Sequence, residues 1–182
     1  MEIKQSAWIT NSRPIGDVCP VFRRTFSAKQ AVRAELWLTA LGVYEATLNG
    51  HRVGDFILAP GWTSYDHRLQ VQHYDISEML QEENELCVTI GRGWFRSPIP
   101  GWETGEDKRR RYAQPCGLLA LLTLDFSDGH QEMIRTDENW VWGESPVRFS
   151  EIYDGEIYDA RWHTTEWLPV SLLEWAKEIL IA

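Results

Sequence analysis

The sequence predicts an all-β protein, an antiparallel β-sandwich of jelly-roll-like type, and three observations carry that expectation. Short runs alternate apolar and polar residues with a period of two, turn dipeptides punctuate them at near-regular intervals, and little of the chain shows a helical repeat. The clearest alternation sets Val32, Ala34, Leu36, Leu38 and Ala40 on one parity and Arg33, Glu35, Trp37 and Thr39 on the other. That is a strand with one buried face.

Taken in order, residues 1–20 hold Trp8 and a loop rich in Asn, Ser, Pro and Gly, so an irregular N-terminal arm is expected. The sandwich is expected over residues 21–161. Its first strand spans 21–26, where Phe22, Arg24 and Phe26 oppose Arg23 and Thr25. Residues 36–76 form the centre of the chain. There Tyr44, Ala46 and Leu48 end at Asn49-Gly50, a dipeptide that enters positive φ at low cost and so predicts a tight hairpin into His51, Arg52 and Val53. Pro60-Gly61 turns the chain, and Leu69, Val71 and His73 alternate with Gln70, Gln72 and Tyr74, so 36–76 reads as a β-meander with an aromatic-rich crossing.

Ser77 is the expected N-cap of a short helical turn through Glu78, Met79 and Leu80. Leu86, Val88 and Ile90 mark the next strand, closed by Gly91-Arg92-Gly93-Trp94. Residues 97–115 have no periodicity and read as a long loop. Residues 117–126 are apolar enough for a helix, but Asp128-Gly129 and the alternating run 131–135 favour a hairpin. Trp140 and Trp142 share a parity and mark a strand, and residues 149–161 read as another, with Asp154 and Glu156 on one side. In 162–182, Leu172, Leu173, Trp175, Ala176, Ile179 and Leu180 would fit one face of an amphipathic helix.

Length and charge narrow the functions. A chain of 182 residues suits one domain with a sizeable core. Its formal net charge of −9 and pI near 5.0 disfavour nucleic acid, whose phosphates need a positive face. The one basic run, Lys108, Arg109, Arg110 and Arg111, follows Glu103, Glu106 and Asp107 and reads as solvated loop. Three cysteines, Cys19, Cys87 and Cys116, show neither disulfide-framework nor zinc-knuckle spacing. No signal-peptide core or membrane-length apolar run is present, so a cytoplasmic protein without membrane contact is expected. Ten Trp are the compositional oddity, and Trp serves both sheet cores and sugar stacking.

The motifs, taken together, point further. ALGVYEATLNGHRVGDFILAPGWTSYDHRLQVQHYDIS, with VFRRTF before it and GRGWFR, TDENW and FSEIYDGEIYDAR after it, resembles the N-terminal β-sandwich module of bacterial α-L-rhamnosidases. The likeness runs in consistent order from about Trp8 to about Ala182. It implies a parent glycoside hydrolase that removes terminal α-L-rhamnosyl groups with inversion, which requires two carboxyl groups about 6.5–9.5 Å apart. In that family the pair belongs to an (α/α)6 barrel farther along the chain. The resemblance therefore implies an accessory module, inactive alone, whose partner is the catalytic barrel of the same parent chain. It also implies that 162–182 runs extended toward a downstream domain, against the helical alternative.

Within the chain itself, Asp154 and Glu156 would sit about 6.6 Å apart on one side of a strand at ~3.3 Å per residue, but strand-end acids more often cap turns. His67 and His73 would lie about 20 Å apart along an extended chain, too far to share an ion. No HExxH, P-loop or GxSxG occurs, and Gly91-Arg92-Gly93 suits a tight turn better than a phosphate cradle. No catalytic residue, metal or cofactor is expected. Sugar stacking is the remaining active role, with Trp62, Trp94 and Trp102 as candidate substrate-binding platforms for rhamnose-containing glycans; the alternative is that they are core or interdomain contacts. Some modules resembling this one bind rhamnose through calcium, where the motif carries Asn or Asp between its glycines. Arg92 stands there, and a guanidinium repels the ion.

Overall fold

The computed structural model describes residues 1–97 and 115–182. In chain order the elements are β1 (Trp8–Thr10), β2 (Pro20–Ser27), β3 (Ala31–Leu41), β4 (Val43–Leu48), β5 (His51–Arg52), β6 (Leu69–Gln70), β7 (Gln72–Asp75) and β8 (Glu83–Gly91). A one-turn helix α1 (Gly93–Arg96) follows, then β9 (Gly117–Phe126), β10 (Gln131–Arg135), β11 (Val141–Glu144), β12 (Val147–Glu151), β13 (Gly155–Tyr158), β14 (Leu168–Pro169), β15 (Ser171–Leu173) and β16 (Leu180–Ile181). The first sheet runs β15-β1-β9-β3-β7, with β10 also on β9, and the second runs β14-β11-β2-β8-β4-β5. Both are antiparallel, and they pack as the sandwich that the alternation predicts.

Two apolar clusters explain the burial. Between the sheets lie Leu36, Leu38, Leu122 and Leu124 from one side and Phe22, Val88, Ile90 and Trp142 from the other. A second cluster covers the outer face of the first sheet, where Leu119 and Leu121 of β9 meet Trp8, Tyr65, Leu69, Phe95 and Leu180. Even-numbered leucines of β9 thus face inward and odd-numbered ones outward, and both sets are dry. A strand covered on both faces reads as a continuous apolar run, which is why composition alone also admits a helix there.

Several expectations change. Residues 36–76 are not a meander, because β3 and β4 lie in opposite sheets. The chain corners at Gly42, φ 138°, where a Cβ would stand 2.4 Å from the Gly91 carbonyl oxygen. Val32 is exposed rather than buried, since a register shift between Ala31 and Arg33 turns it out of the inward set. The predicted strand 69–74 is two pieces: β6 pairs in parallel with β16, and β7 pairs with β3. Ser77 is the first residue of a 3-10 turn rather than its cap; its hydroxyl donates to Asp75 and accepts the Ala34 N–H. Residues 149–161 form the hairpin β12–β13 instead of one strand.

The termini also join the sheets. The arm expected to be irregular contributes β1 and the fully buried Trp8. The tail is extended, with β14 on the second sheet, β15 on the first and β16 against β6, so the amphipathic-helix reading of 162–182 fails. The hairpin at Asn49-Gly50 forms as read, with φ of 54° and 79°. The long-loop expectation for 97–115 and its basic run fall almost wholly on residues outside those described.

Candidate functional site

The connection between β5 and β6 builds one end of the sandwich. Its backbone is pinned at Ala59, whose carbonyl accepts the Tyr44 N–H at 2.7 Å, and by Tyr65, which is wholly buried. The buried Tyr44 hydroxyl meets Tyr74 at 3.0 Å and donates to Gln72 at 3.1 Å; burial first, then the Tyr74 hydrogen bond, pushes its pKa far up. Gly54 packs against the Tyr74 ring, where a Cβ would stand 2.3 Å from a ring carbon. With both ends held, Phe56, Ile57, Leu58 and Trp62 project outward, between 46% and 65% exposed.

Trp62 stacks on Trp94, ring centroids 6.2 Å apart and planes 20° apart. Trp94 rises from α1, which starts at Gly93 with φ 50° against Val43. The next residue, Phe95, is buried edge-on to Tyr65 at 5.2 Å and to Trp175 of the tail at 5.3 Å. The aromatic pair is therefore rooted in the second cluster. Arg92 is mostly buried, paired with Asp17, and lies over the Phe149 ring at 5.3 Å.

The same connection, through Ile57 and Leu58, lines a cleft of about 490 Å³. Glu45, Arg52, Ile57 and Leu58 form one wall, and Glu156 and Tyr158 of β13 contribute the other. Arg52 sits 3.7 Å from Glu45 and donates to the Phe56 carbonyl at 3.4 Å. An apolar wall with a few convergent polar groups suits a neutral polar ligand or a protein surface.

Acid–base chemistry has little support in these carboxylates. Asp154 lies in the β12–β13 turn, so it and Glu156 do not share a strand. The turn is capped by Glu151, which accepts the N–H groups of Tyr153 and Asp154 at 2.8 Å each. The Arg161 guanidinium and N–H hold Asp159 down to about 2, far from the pKa of a proton donor near neutrality. Among the described residues no three His, Cys, Asp or Glu cluster as metal ligands. The motif Gly91-Arg92-Gly93 does not fit calcium, since its central side chain is a cation already held by Asp17. His73, weighed as a ligand, instead stacks on Trp37 at 4.5 Å and meets Glu35 at 3.1 Å.

Of the residues singled out from the sequence, Trp62 and Trp94 come together across 32 positions, and Trp102 lies outside the described residues. Ile57, Leu58 and Tyr158 escaped sequence reasoning. Their signal was the apolar triplet Phe56-Ile57-Leu58 inside a turn-bounded segment, where nothing requires apolar side chains.

Fold and site together define a β-sandwich module that carries an exposed, stacked aromatic pair at one end. Residues 29–182 match the family described as the Alpha-L-rhamnosidase N-terminal domain. A curated α-L-rhamnosidase of Streptomyces avermitilis is 36% identical over 171 residues, covering 89% of this chain and 16% of the relative. The crystal structure of native α-L-rhamnosidase from Aspergillus terreus superposes with TM-score 0.87 and 37% identity, over 98% of this chain and 22% of that one. That of the Streptomyces avermitilis enzyme complexed with L-rhamnose gives TM-score 0.75 and 33% identity, over 87% and 16%. The chain belongs to the α-L-rhamnosidase N-terminal domain family. It spans about a sixth of the length of the curated relatives it matches.

Proposed function

We propose that this chain is the accessory N-terminal β-sandwich of an α-L-rhamnosidase, non-catalytic alone, that packs beside the catalytic barrel and helps present the rhamnoside. The observation that carries the reading is one of scale: the whole fold corresponds to 22% of the Aspergillus terreus enzyme and 16% of the Streptomyces avermitilis one. The carboxylates of residues 151–159 support it, since Glu151 caps a turn and Asp159 is committed to Arg161. A cytoplasmic location belongs to the same proposal, on the support of three unpaired cysteines. Sedimentation of the chain mixed with the separately expressed remainder of its parent tests the packing. A one-to-one complex is expected, and two independent boundaries at all concentrations would refute it.

A second reading, an independent module for rhamnose-bearing glycans, is favoured by one observation: the outer Trp62 ring is 65% exposed and held flat by Trp94. Calorimetric titration with L-rhamnose, in calcium and then in chelator, separates the two. Calcium-independent binding abolished by Trp62→Ala would establish the module reading. Binding that requires calcium would refute the argument from Arg92.

A further inference from the structure

The large apolar side chains that stay exposed are not scattered. Of the eleven among the described residues, seven fall on two segments: Phe56, Ile57, Leu58 and Trp62 on the β5–β6 connection, and Tyr153, Ile157 and Tyr158 on the β12–β13 hairpin. Ile57 and Leu58 face Tyr158 across the same cleft. The hairpin packs through Phe149 and Ser150 of β12 against Arg92 and Gly91, while Ile157 and Tyr158 of β13, of opposite parity, each stay 60% exposed. Exposed apolar side chains gathered in this way mark an interaction site.

The path of the chain says what that something is. The tail closes on the same end of the molecule: Leu180 and Ile181 pair with Leu69 and Gln70, directly after the β5–β6 connection, and the Trp175 N–H donates to the Tyr65 carbonyl at 3.3 Å. Trp175 touches Phe95, the neighbour of Trp94 on α1. Gln70 lies against Gly61, and Gln72 donates to the Pro60 carbonyl at 3.4 Å, so any polypeptide continuing past Ala182 leaves from beside the Pro60-Gly61 turn of that connection. A segment tethered there by a short linker meets this face at high effective concentration.

We infer that the face built by Ile57, Leu58, Trp62 and Tyr158 is the interdomain surface on which the catalytic portion of the parent chain docks. This rests on the accessory-domain reading and names its contact surface. Tyr158 and Trp62 supply large exposed apolar area at small entropic cost, as the anchors of protein interfaces do, while Glu45, Arg52 and Glu156 give a polar rim.

Hydroxyl-radical footprinting of the 182-residue chain and of its longer parent, read by mass spectrometry, tests this. Ile57, Trp62 and Tyr158 are expected to label severalfold less in the parent, while Val32 and Leu172, exposed elsewhere, label equally in both. Equal labelling of the face with new protection at Val32 or Leu172 would overturn the assignment and leave the accessory reading standing. No protection anywhere would sink both. Protection of Trp62 only when L-rhamnose is added would also overturn the inference, since the face would then belong to a glycan. In the parent, Ile57→Asp combined with Tyr158→Asp should lower the melting temperature, and the same pair should leave that of the isolated chain unchanged.

Discussion

Arg92 shows how far a single residue can be read from sequence. The sequence places a cation between two glycines, but does not reveal that Asp17, 75 positions away, takes up its charge. Partners that distant are set by the fold and leave no local signal. Gly42 is similar, an ordinary glycine in sequence and the corner between sheets in space. Gly42→Ala should cost several kcal/mol, because a Cβ there meets the Gly91 carbonyl at 2.4 Å and Ile90 at 2.8 Å and overpacking alone costs about 1–3 kcal/mol. Urea unfolding checks it; an unchanged midpoint would mean that the corner relaxes freely. Burial, above all, holds the Cys19 and Cys87 thiols up at about 12, and pushes Cys116 up as well. All three should resist Ellman's reagent at pH 8 in the native protein and react after denaturation. The exposed His130 is raised by its hydrogen bond to Asp128, so its contribution to stability is full below about 6.5, the ordinary histidine value, and fades as pH rises through the higher folded value. An NMR titration should place its midpoint above that ordinary value and return it on Asp128→Asn.

Elements were legible where one face is wet. β2, β8 and the Asn49-Gly50 hairpin follow from alternation and turn chemistry, since solvent on one side leaves a period of two in the sequence. β9 was ambiguous for the converse reason, being covered on both faces. The second cluster was invisible because it is assembled from an arm, a loop, α1 and the tail, and the one period among them, the helical spacing of the tail, points to a helix that does not form. Its contribution is measurable. Leu121→Ala, on the outer side of β9, should destabilise by about 2–5 kcal/mol, as much as an inter-sheet leucine, because its surroundings are equally dry. Removing residues 171–182 should likewise lower the unfolding midpoint, since it strips Trp175, Ile179 and Leu180 from that cluster and both β15 and β16 from their partners. A midpoint unchanged by the truncation would mean that the outer cluster contributes little.

At the scale of the molecule, sequence motifs sufficed for family and fold class. High Trp content singles out Trp62 and Trp94 as candidates, but neither their stacking nor the cleft between Leu58 and Tyr158 is legible there, since both exist only once distant segments fold together. Circular dichroism should show strand as the dominant signal, and helix approaching the roughly one-third usual in soluble domains would contradict the sandwich. As the accessory domain we propose, this fold presents and docks but does not itself cleave glycosides. Release of the aryl group from an aryl α-L-rhamnoside by the purified chain, followed over hours at high protein concentration, tests that most directly. The account requires a rate equal to the buffer blank; turnover above it that disappears in Asp154→Asn or Glu156→Gln would make the domain an enzyme in its own right and contradict the account.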